Sequence, residues 1–369
     1  MTDVIFKSAV YEYDILKTAV FGMLDTIGAD LIRKQSRVLI KPNLLLPVKP
    51  EKAVLTHPLV VKAVAEYVIA KGGHPRISDS PAIGSFGRLL KEGGYKKAFD
   101  DLDVEIRPFK ATTRVNIGKP FYDIDIARSA VEADVVINLA KLKTHTHMLL
   151  TLGVKNLFGC IVGFKKPEWH MRSGIDRHMF DRLLVQIYRA VNPAITLVDG
   201  ILALEGQGPG KSGKPRDIGV LVGSRSGVAV DKAICRMLGI APDLLPTNRA
   251  AAELGLEDGD AEIRGDFSEV KNFELPDLGP LTFGPMKFQG FMRKHLVQRP
   301  VVDPQQCKMC GECGKFCPAE AITGYADTIG FDYNRCIRCY CCIEVCPHGA
   351  LRAAETFPGK ILRKLTRVS

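Results

Sequence analysis

Aromatic residues are scarce in this chain, 7% of 369 residues with a single tryptophan, and Lys and Arg are scattered rather than massed in one block. Such a sequence lacks the basic, aromatic-studded platform on which bases stack, which argues against nucleic acid as a partner. Long apolar runs are absent too: none reaches the ~18 residues of a membrane span. The opening residues MTDVIFKSAVYEYD have neither the basic start nor the continuous apolar core of a secretory signal. The expected location is cytoplasmic. The Gly-rich stretch GQGPGKSG over 206–213 follows neither GxxxxGK[ST] nor a GxGxxG order after a strand, so a phosphate cradle is not expected there. No flavin, nicotinamide or haem motif occurs. For most of its length the chain is also poor in cysteine, with Cys160 and Cys235 the only ones before residue 300.

The remaining cysteines, out of 11 in all, crowd the C-terminal end, where the pattern CxxCxxCxxxCP occurs twice. The first set is Cys307, Cys310, Cys313, Cys317 and Pro318; the second is Cys336, Cys339, Cys342, Cys346 and Pro347, each 29 residues further on. Three closely spaced thiolates with a fourth that crosses to a neighbouring cluster make the ligand set of two [4Fe–4S] cubanes. Structural zinc is the competing chemistry, but four ligands per ion explain neither the third cysteine two residues on nor the proline after each fourth. In a cytoplasmic chain, clustered cysteines point to metal rather than disulfides. The half-units CKMCGECGKFCPAEAIT and CIRCYCCIEVCPHGALR resemble the two-cluster bacterial ferredoxin module. That resemblance implies Cys307, Cys310, Cys313 and Cys346 on one cluster and Cys336, Cys339, Cys342 and Cys317 on the other. Cys341 is left over, without an assigned role. The formal charge of +10 falls to about +6 once two oxidised cubanes of about −2 each are added. Oxygen-sensitive clusters make an anaerobic or low-potential setting the expected one.

A ferredoxin accounts for a small part of this length, and 46% hydrophobic residues suit a larger globular body. Strands are expected over 4–9, 37–41, 75–78, 104–109, 134–139, 194–198 and 218–223, and helices over 13–27, 58–71, 86–101, 176–191, 228–238 and 248–254. Residues 114–126 alternate like a hairpin. The order is that of an α/β domain with a Rossmann-like, mostly parallel sheet, followed by a small α+β dicluster ferredoxin domain. The expected division is 1–280 for the body, 281–300 for a basic linker, 301–355 for the ferredoxin and 356–369 for a basic tail. From about Leu275 to Pro300 four prolines interrupt the alternation. Lys287, Arg293, Lys294 and Arg299, with Phe288, Phe291 and Met292, fit a short basic amphipathic helix, and Lys360, Arg363, Lys364 and Arg367 make the tail basic. A solvated packing helix and tail is favoured over contact with a membrane surface or an acidic redox partner.

Polar residues gather at the ends of the expected body strands. RVLIKPNLLL delivers Lys41 and Asn43, with His57 opening the next helix; ISDSP delivers Asp79; DVVINLAKLK delivers Lys141 and Lys143, then His145 and His147. GVKNLFGCIVG places Lys155, Asn156 and Cys160 among glycines, and VDGILALEGQGPG puts Asp199 after an apolar strand, ahead of a flexible glycine loop. Each alone reads as a cap or ion pair. Together, three lysines and two histidines between Lys141 and Lys155 form a cationic, titratable patch beside apolar walls, suited to an anionic or carbonyl substrate, a metal, or proton donation to a reduced intermediate.

The order IKPN, THPLVVKAVAEYV, ISDSP, ADVVINLAKLKTH, GVKNLFG, VDGILALEGQGP and VAVDKAICRMLG over about 36–240 is similar to the DUF362 family, many of whose members carry a C-terminal ferredoxin module. The family implies no reaction. A more distant similarity is to the nickel-pincer lactate racemase superfamily, whose motif His145 and Lys155 in KTHTHMLLTLGVKN resemble, with His170 as the implied metal ligand. Two functions are carried forward, with a metallocofactor-related role, distantly similar to that of the nickel-pincer racemases, as a further alternative. In one, low-potential electrons reach a site in the body where Lys143, His145 and Lys155 are catalytic, His145 being the acid, and Lys41, Asn43, Asp79, Asn156 and Asp199 bind substrate. In the other, the body is a docking module and a redox partner protein holds the catalyst.

Overall fold

The computed structural model describes residues 3–163, 165–173, 177–256, 261–276, 295, 297–324 and 328–358. Its body is built on strands β1 (Asp3–Ser8), β2 (Arg37–Pro42), β3 (His74–Ile77), β4 (Glu105–Ile106), β7 (Val135–His145), β8 (Leu149–Thr151), β9 (Ile195–Gly206), β10 (Gly213–Ser224) and β11 (Glu262–Gly265). They pair in the order β11-β1-β10-β9-β7-β2-β3-β4, with β8 folded back on β7. From β9 to β4 every pairing is parallel, while β10 joins both β9 and β1 antiparallel. The mostly parallel sheet expected from the alternation is present. The hairpin expected over 114–126 is present too, as β5 (Thr112–Asn116) and β6 (Asp123–Ala127) in a separate two-stranded sheet.

Alternation along the central strands divides the interior between the two faces of the sheet. Val135, Ile137 and Leu139 of β7 join one core with Leu16, Val20, Leu24 and Ile27 of α1 (Tyr13–Gly28) and Val60, Val64 and Val68 of α2 (Pro58–Ala70). Spacings of three and four put these helical residues on one stripe. α2 starts with Pro58 in its first turn, where its missing N–H costs nothing, and His57 Nδ1 accepts the Leu59 amide at 3.3 Å. On the other face, Ala140 and Leu142 pack with Val230 and Ile234 of α9 (Gly227–Met237), and Val136 packs with Leu183, Leu184 and Ile187 of α8 (Arg177–Val191).

Four elements depart from the sequence expectation. The helix expected over 86–101 is two, α3 (Phe86–Glu92) and α4 (Tyr95–Ala98), because Gly94 sits at φ +77°, outside the right-handed helical region. β7 runs to His145 instead of stopping near 139, with all 11 residues buried. β9 and β10 likewise extend to 12 residues each. Lysines ended the apolar pattern in the sequence, but here they continue the strand and are buried by the layers packed against it.

The C-terminal module repeats one small unit. β12 (Arg299–Val302) pairs with β15 (Leu351–Ala354), and β13 (Ile322–Gly324) with β14 (Ile329–Phe331). Its short helices α11 (Glu312–Lys315) and α12 (Cys341–Glu344) lie 29 residues apart, like the cysteines. Arg299 stands in β12, whereas Lys287, Phe288, Phe291, Met292, Arg293, Lys294 and the basic tail residues lie outside the described residues.

Candidate functional site

Two long strands set the site. Lys41 near the end of β2, Lys143 and His145 of β7, and Lys155 and Asn156 of α6 (Gly153–Asn156) come together over the C-terminal ends of parallel strands, where such sheets open their crevices. α6 is held by Asp231 of α9, whose carboxylate accepts the Gly153 and Val154 amides at 2.7 and 3.1 Å. With no charged partner, burial pushes Asp231 up to about 7. Asn156 is fully engaged: its oxygen accepts from Asn43 Nδ2 at 2.8 Å and Lys41 at 3.3 Å, and its amide donates to Asn138 and the Lys41 carbonyl.

These groups line a chamber of about 90 Å³. The body supplies Lys41, Asn43, Asp79, Lys143, His145, Lys155, Asn156, Lys166 and His170, and the C-terminal module closes the opposite side with Phe316, Cys341, Glu344 and Val345. Lys41 is matched, its ammonium 2.9 Å from Asp79, and both side chains are nearly inaccessible. Gly159 permits this pair, since a Cβ there would stand 2.5 Å from Lys41 Nζ and closer still to Asp79. Lys143 donates only to neutral oxygens, Asn43 Oδ1 at 2.8 Å and the Val54 carbonyl at 2.9 Å. Burial, reinforced by Lys155 nearby, lowers it well below the usual lysine range. Burial also lowers Lys155, against the pull of Glu344, and brings Lys166, which donates to the Ser80 carbonyl, down to about 8.

His145 joins the two modules. Its Nδ1 accepts the His147 and Met148 amides at 3.1 and 3.3 Å, so the ring proton resides on Nε2, which faces Glu344 Oε1 at 2.9 Å. Burial and then Lys155 push His145 down to about 4. Burial opposes ionisation of Glu344, but His145 and Lys155 outweigh it and hold the carboxylate below its usual range. A neutral imidazole therefore stands against an ionised carboxylate, close in distance but without hydrogen-bond alignment.

Asp199 and Lys141 do not line the chamber. They form a pair at 2.8 Å inside the sheet, and Asp199 also accepts Tyr11 Oη at 2.8 Å, the His57 amide at 2.9 Å and the Ile201 amide at 3.3 Å. The 206–213 glycine loop is docked rather than free: the Gly208 amide donates to Thr144 Oγ1 at 3.2 Å, its carbonyl accepts Thr146 Oγ1 at 2.8 Å, and Pro209 reaches the chamber.

Glu344 and Lys166 were not singled out by sequence, and Cys341 had no role there. A signal existed in the repeat. Stepping back 29 residues, Tyr340, Cys341, Glu344 and Val345 correspond to Gly311, Glu312, Lys315 and Phe316. The charge reversal from the exposed Lys315 to Glu344 marks the half-unit that turns inward. Tyr340 keeps the left-handed conformation that Gly311 adopts freely, φ +59° against +76°, and its hydroxyl donates to the Gln298 carbonyl at 2.8 Å. That backbone costs a non-glycine residue about 1 kcal/mol or more. The junction also includes Ser212 Oγ, which donates to the Gly349 and Leu351 carbonyls at 3.4 and 3.2 Å, and Val345, which joins the core beneath α1 and α2.

The cysteines of the module fit iron–sulfur ligation. Cys307, Cys310, Cys313 and Cys346 ring one small cavity. Cys317, Cys336, Cys339 and Cys342 lie close enough to perturb one another's thiols. Cys317 Sγ accepts the Ala321 amide at 3.2 Å and Cys346 Sγ the Ala350 amide at 3.3 Å, the same contact in each half and one that tunes cluster sulfur. Among the described residues no three His, Cys, Asp or Glu side chains converge as a single ion requires. A cubane spreads its thiolates more widely than a zinc ion does.

Residues 38–236 match the family described as Domain of unknown function (DUF362). The chain belongs to the DUF362 family. Residues 299–347 match a 4Fe-4S dicluster domain, so the DUF362 body is joined to a 4Fe–4S electron-transfer module. Over 308 residues, 81% of the chain and 96% of the relative, it is 37% identical to the thylakoid-associated protein sll1697 of Synechocystis sp.. The iron–sulfur module alone is similar to NADH-quinone oxidoreductase subunit I of Pelobacter propionicus, 32% identical over 82 residues, which cover 18% of this chain and 44% of that one. It is also similar to pyruvate synthase subunit PorD of Thermotoga maritima, 36% identical over 56 residues, covering 15% and 57%. Among solved structures, the lactate racemase apoprotein from Thermoanaerobacterium thermosaccharolyticum aligns over 60% of this chain and 54% of its own at 17% identity and a TM-score of 0.39. No helix among the described residues is long and apolar enough to cross a membrane.

Proposed function

We propose that this DUF362 protein is an iron–sulfur oxidoreductase in which the chamber between the modules is the reduction site. One observation carries the reading: the cationic residues of the body share that chamber with Phe316 and Cys341, the chain neighbours of Cys317 and Cys342. The two cysteine quartets would hold two [4Fe–4S] clusters, each of which, when bound, supplies one electron at low potential. A carbonyl or unsaturated substrate takes up two electrons, which a redox partner protein ultimately provides, and two protons. The chain's residues do the rest. Lys143, Lys155 and Lys166, when protonated, bind anionic groups, offset negative charge as it develops and supply protons, and the reacting oxygen takes the place of Glu344 Oε1 before His145 Nε2–H. Lys41, Asp79, Asn43 and Asn156 hold the lysines in place. The protein is placed in the cytoplasm, in an anaerobic setting, and the thylakoid association of its Synechocystis relative makes membrane fractionation the check on that placement.

A second reading is favoured by the likeness of the iron–sulfur module to subunits of larger oxidoreductases: a non-catalytic electron-transfer subunit that docks on a partner enzyme. Both readings expect about eight iron atoms per chain and a coupled two-cluster signal on reduction. The dithionite-reduced protein, freed of excess reductant, is then mixed anaerobically with a protein-free metabolite extract. Re-oxidation that is lost in K155M and H145Q at unchanged iron content supports the reduction site. Re-oxidation that requires the protein fraction, or is indifferent to both substitutions, supports the subunit.

A further inference from the structure

The chamber is lined by more lysines than carboxylates. Four lysines face it, and Asp79 is taken by Lys41 at 2.9 Å. Lys143 reaches only neutral oxygens, and Lys166 a carbonyl. The other lining carboxylate, Glu344, lies 2.9 Å from His145 and is in an ion pair with none of the four lysines. Burial disfavours the charged form of a lysine that has no counter-charge, and an anion entering the chamber beside Lys143, Lys155 and Lys166 would restore it.

We propose that the chamber binds a small organic carboxylate, its oxygens held by Lys143, Lys155 and Lys166. The proposal rests on the chamber being the working site of the protein and names the chemistry that it selects. The space of about 90 Å³ suits a compact molecule. The walls favour carbon over a fully hydrated oxyanion, because Phe158, Phe316, Val345 and Pro209 line them alongside the cations. Inorganic phosphate shares the charge but offers those apolar walls nothing.

Anaerobic calorimetry on the oxidised holoprotein, with no electron flow, tests this using sodium acetate, oxalate and succinate in one arm and phosphate and sulfate in the other. Saturable binding of at least one carboxylate, tighter than either inorganic anion and weakened tenfold or more in K155M and K166M, is the expected result, since each substitution removes a charge-assisted hydrogen bond. Absence of binding, equal or tighter binding of phosphate or sulfate, or indifference to both substitutions overturns the proposal. In case the variants misfold, acylation of Lys155 and Lys166 in the wild-type holoprotein is followed by mass spectrometry. Protection by the carboxylate, and not by phosphate, is expected, and unprotected labelling overturns the site. Because binding is read without turnover, its failure leaves the electron-transfer reading standing, to be judged by re-oxidation alone.

Discussion

Replacing Asp199 by asparagine tests the reading that this residue is structural and not part of the chamber. Its carboxylate accepts four donors: Lys141, Tyr11 Oη and the His57 and Ile201 amides. Neither its side chain nor that of Lys141 is more than 1% exposed. The amide of D199N would keep one acceptor oxygen and turn an N–H toward donors, leaving the Lys141 ammonium buried without a counter-charge. Breaking a buried pair from one side costs about 3–5 kcal/mol. With a urea m-value of about 3 kcal/mol/M, the unfolding midpoint should fall by about 1–1.7 M. The chain provides its own probe, because its one tryptophan, Trp169, is buried in the body and reports on that module. Adding K141M removes the stranded charge, so the double mutant should cost at least about 1 kcal/mol less than the sum of the single ones. Iron content should stay unchanged. A midpoint shift below about 0.3 M, or strict additivity, would refute the argument.

Two further substitutions probe the scaffold of the site. Asp231, pushed up to about 7 by burial, stays protonated in the fold while its unfolded counterpart ionises near 4, so its contribution is fully present below about pH 4 and is lost as pH rises to about 7. In D231N the stability-versus-pH profile from urea titrations should lack that decline; a mutant profile parallel to wild type would contradict it. G159A would push a methyl group against Lys41 and Asp79, and overpacking of this kind costs about 1–3 kcal/mol. A thermal midpoint several degrees lower, with weaker carboxylate binding, is expected, and an unchanged midpoint would show that the pair yields without cost.

Periodicity and spacing revealed the architecture and the cysteine sets because each depends on local pattern. Val4, Phe6, Val38, Ile40, Val135 and Ile137 alternate or run apolar as strands must, and CxxCxxCxxxCP needs no tertiary knowledge. Lys41, Asn43, Asp79, Lys143, His145, Lys155 and Asn156 were legible as one group because all lie at strand ends or in the glycine-rich segment after β7. What each does was less legible. Asp199 stands at a strand position like those of the other site residues, and only the register that sets it opposite Lys141 shows it to be consumed inside the sheet. The strand lengths were missed because burial of Lys141 and Lys143 depends on Asp199, Asn43 and Val54, which are distant in sequence. Glu344 was hidden for the opposite reason: its local context belongs to the cluster module, and its partner His145 is 199 positions away.

A duplicated module whose halves have diverged on one face acquires an inside and an outside. Met309 is 41% exposed at the outer end, with Cys310 exposed beside it, whereas at the inner end Tyr340 is only 2% exposed and Cys341 is buried against the body. Left symmetric, such a unit would offer visitors two equivalent doors. Here one end faces the chamber with the body's lysines, and the other keeps its methionine and cysteine toward solvent.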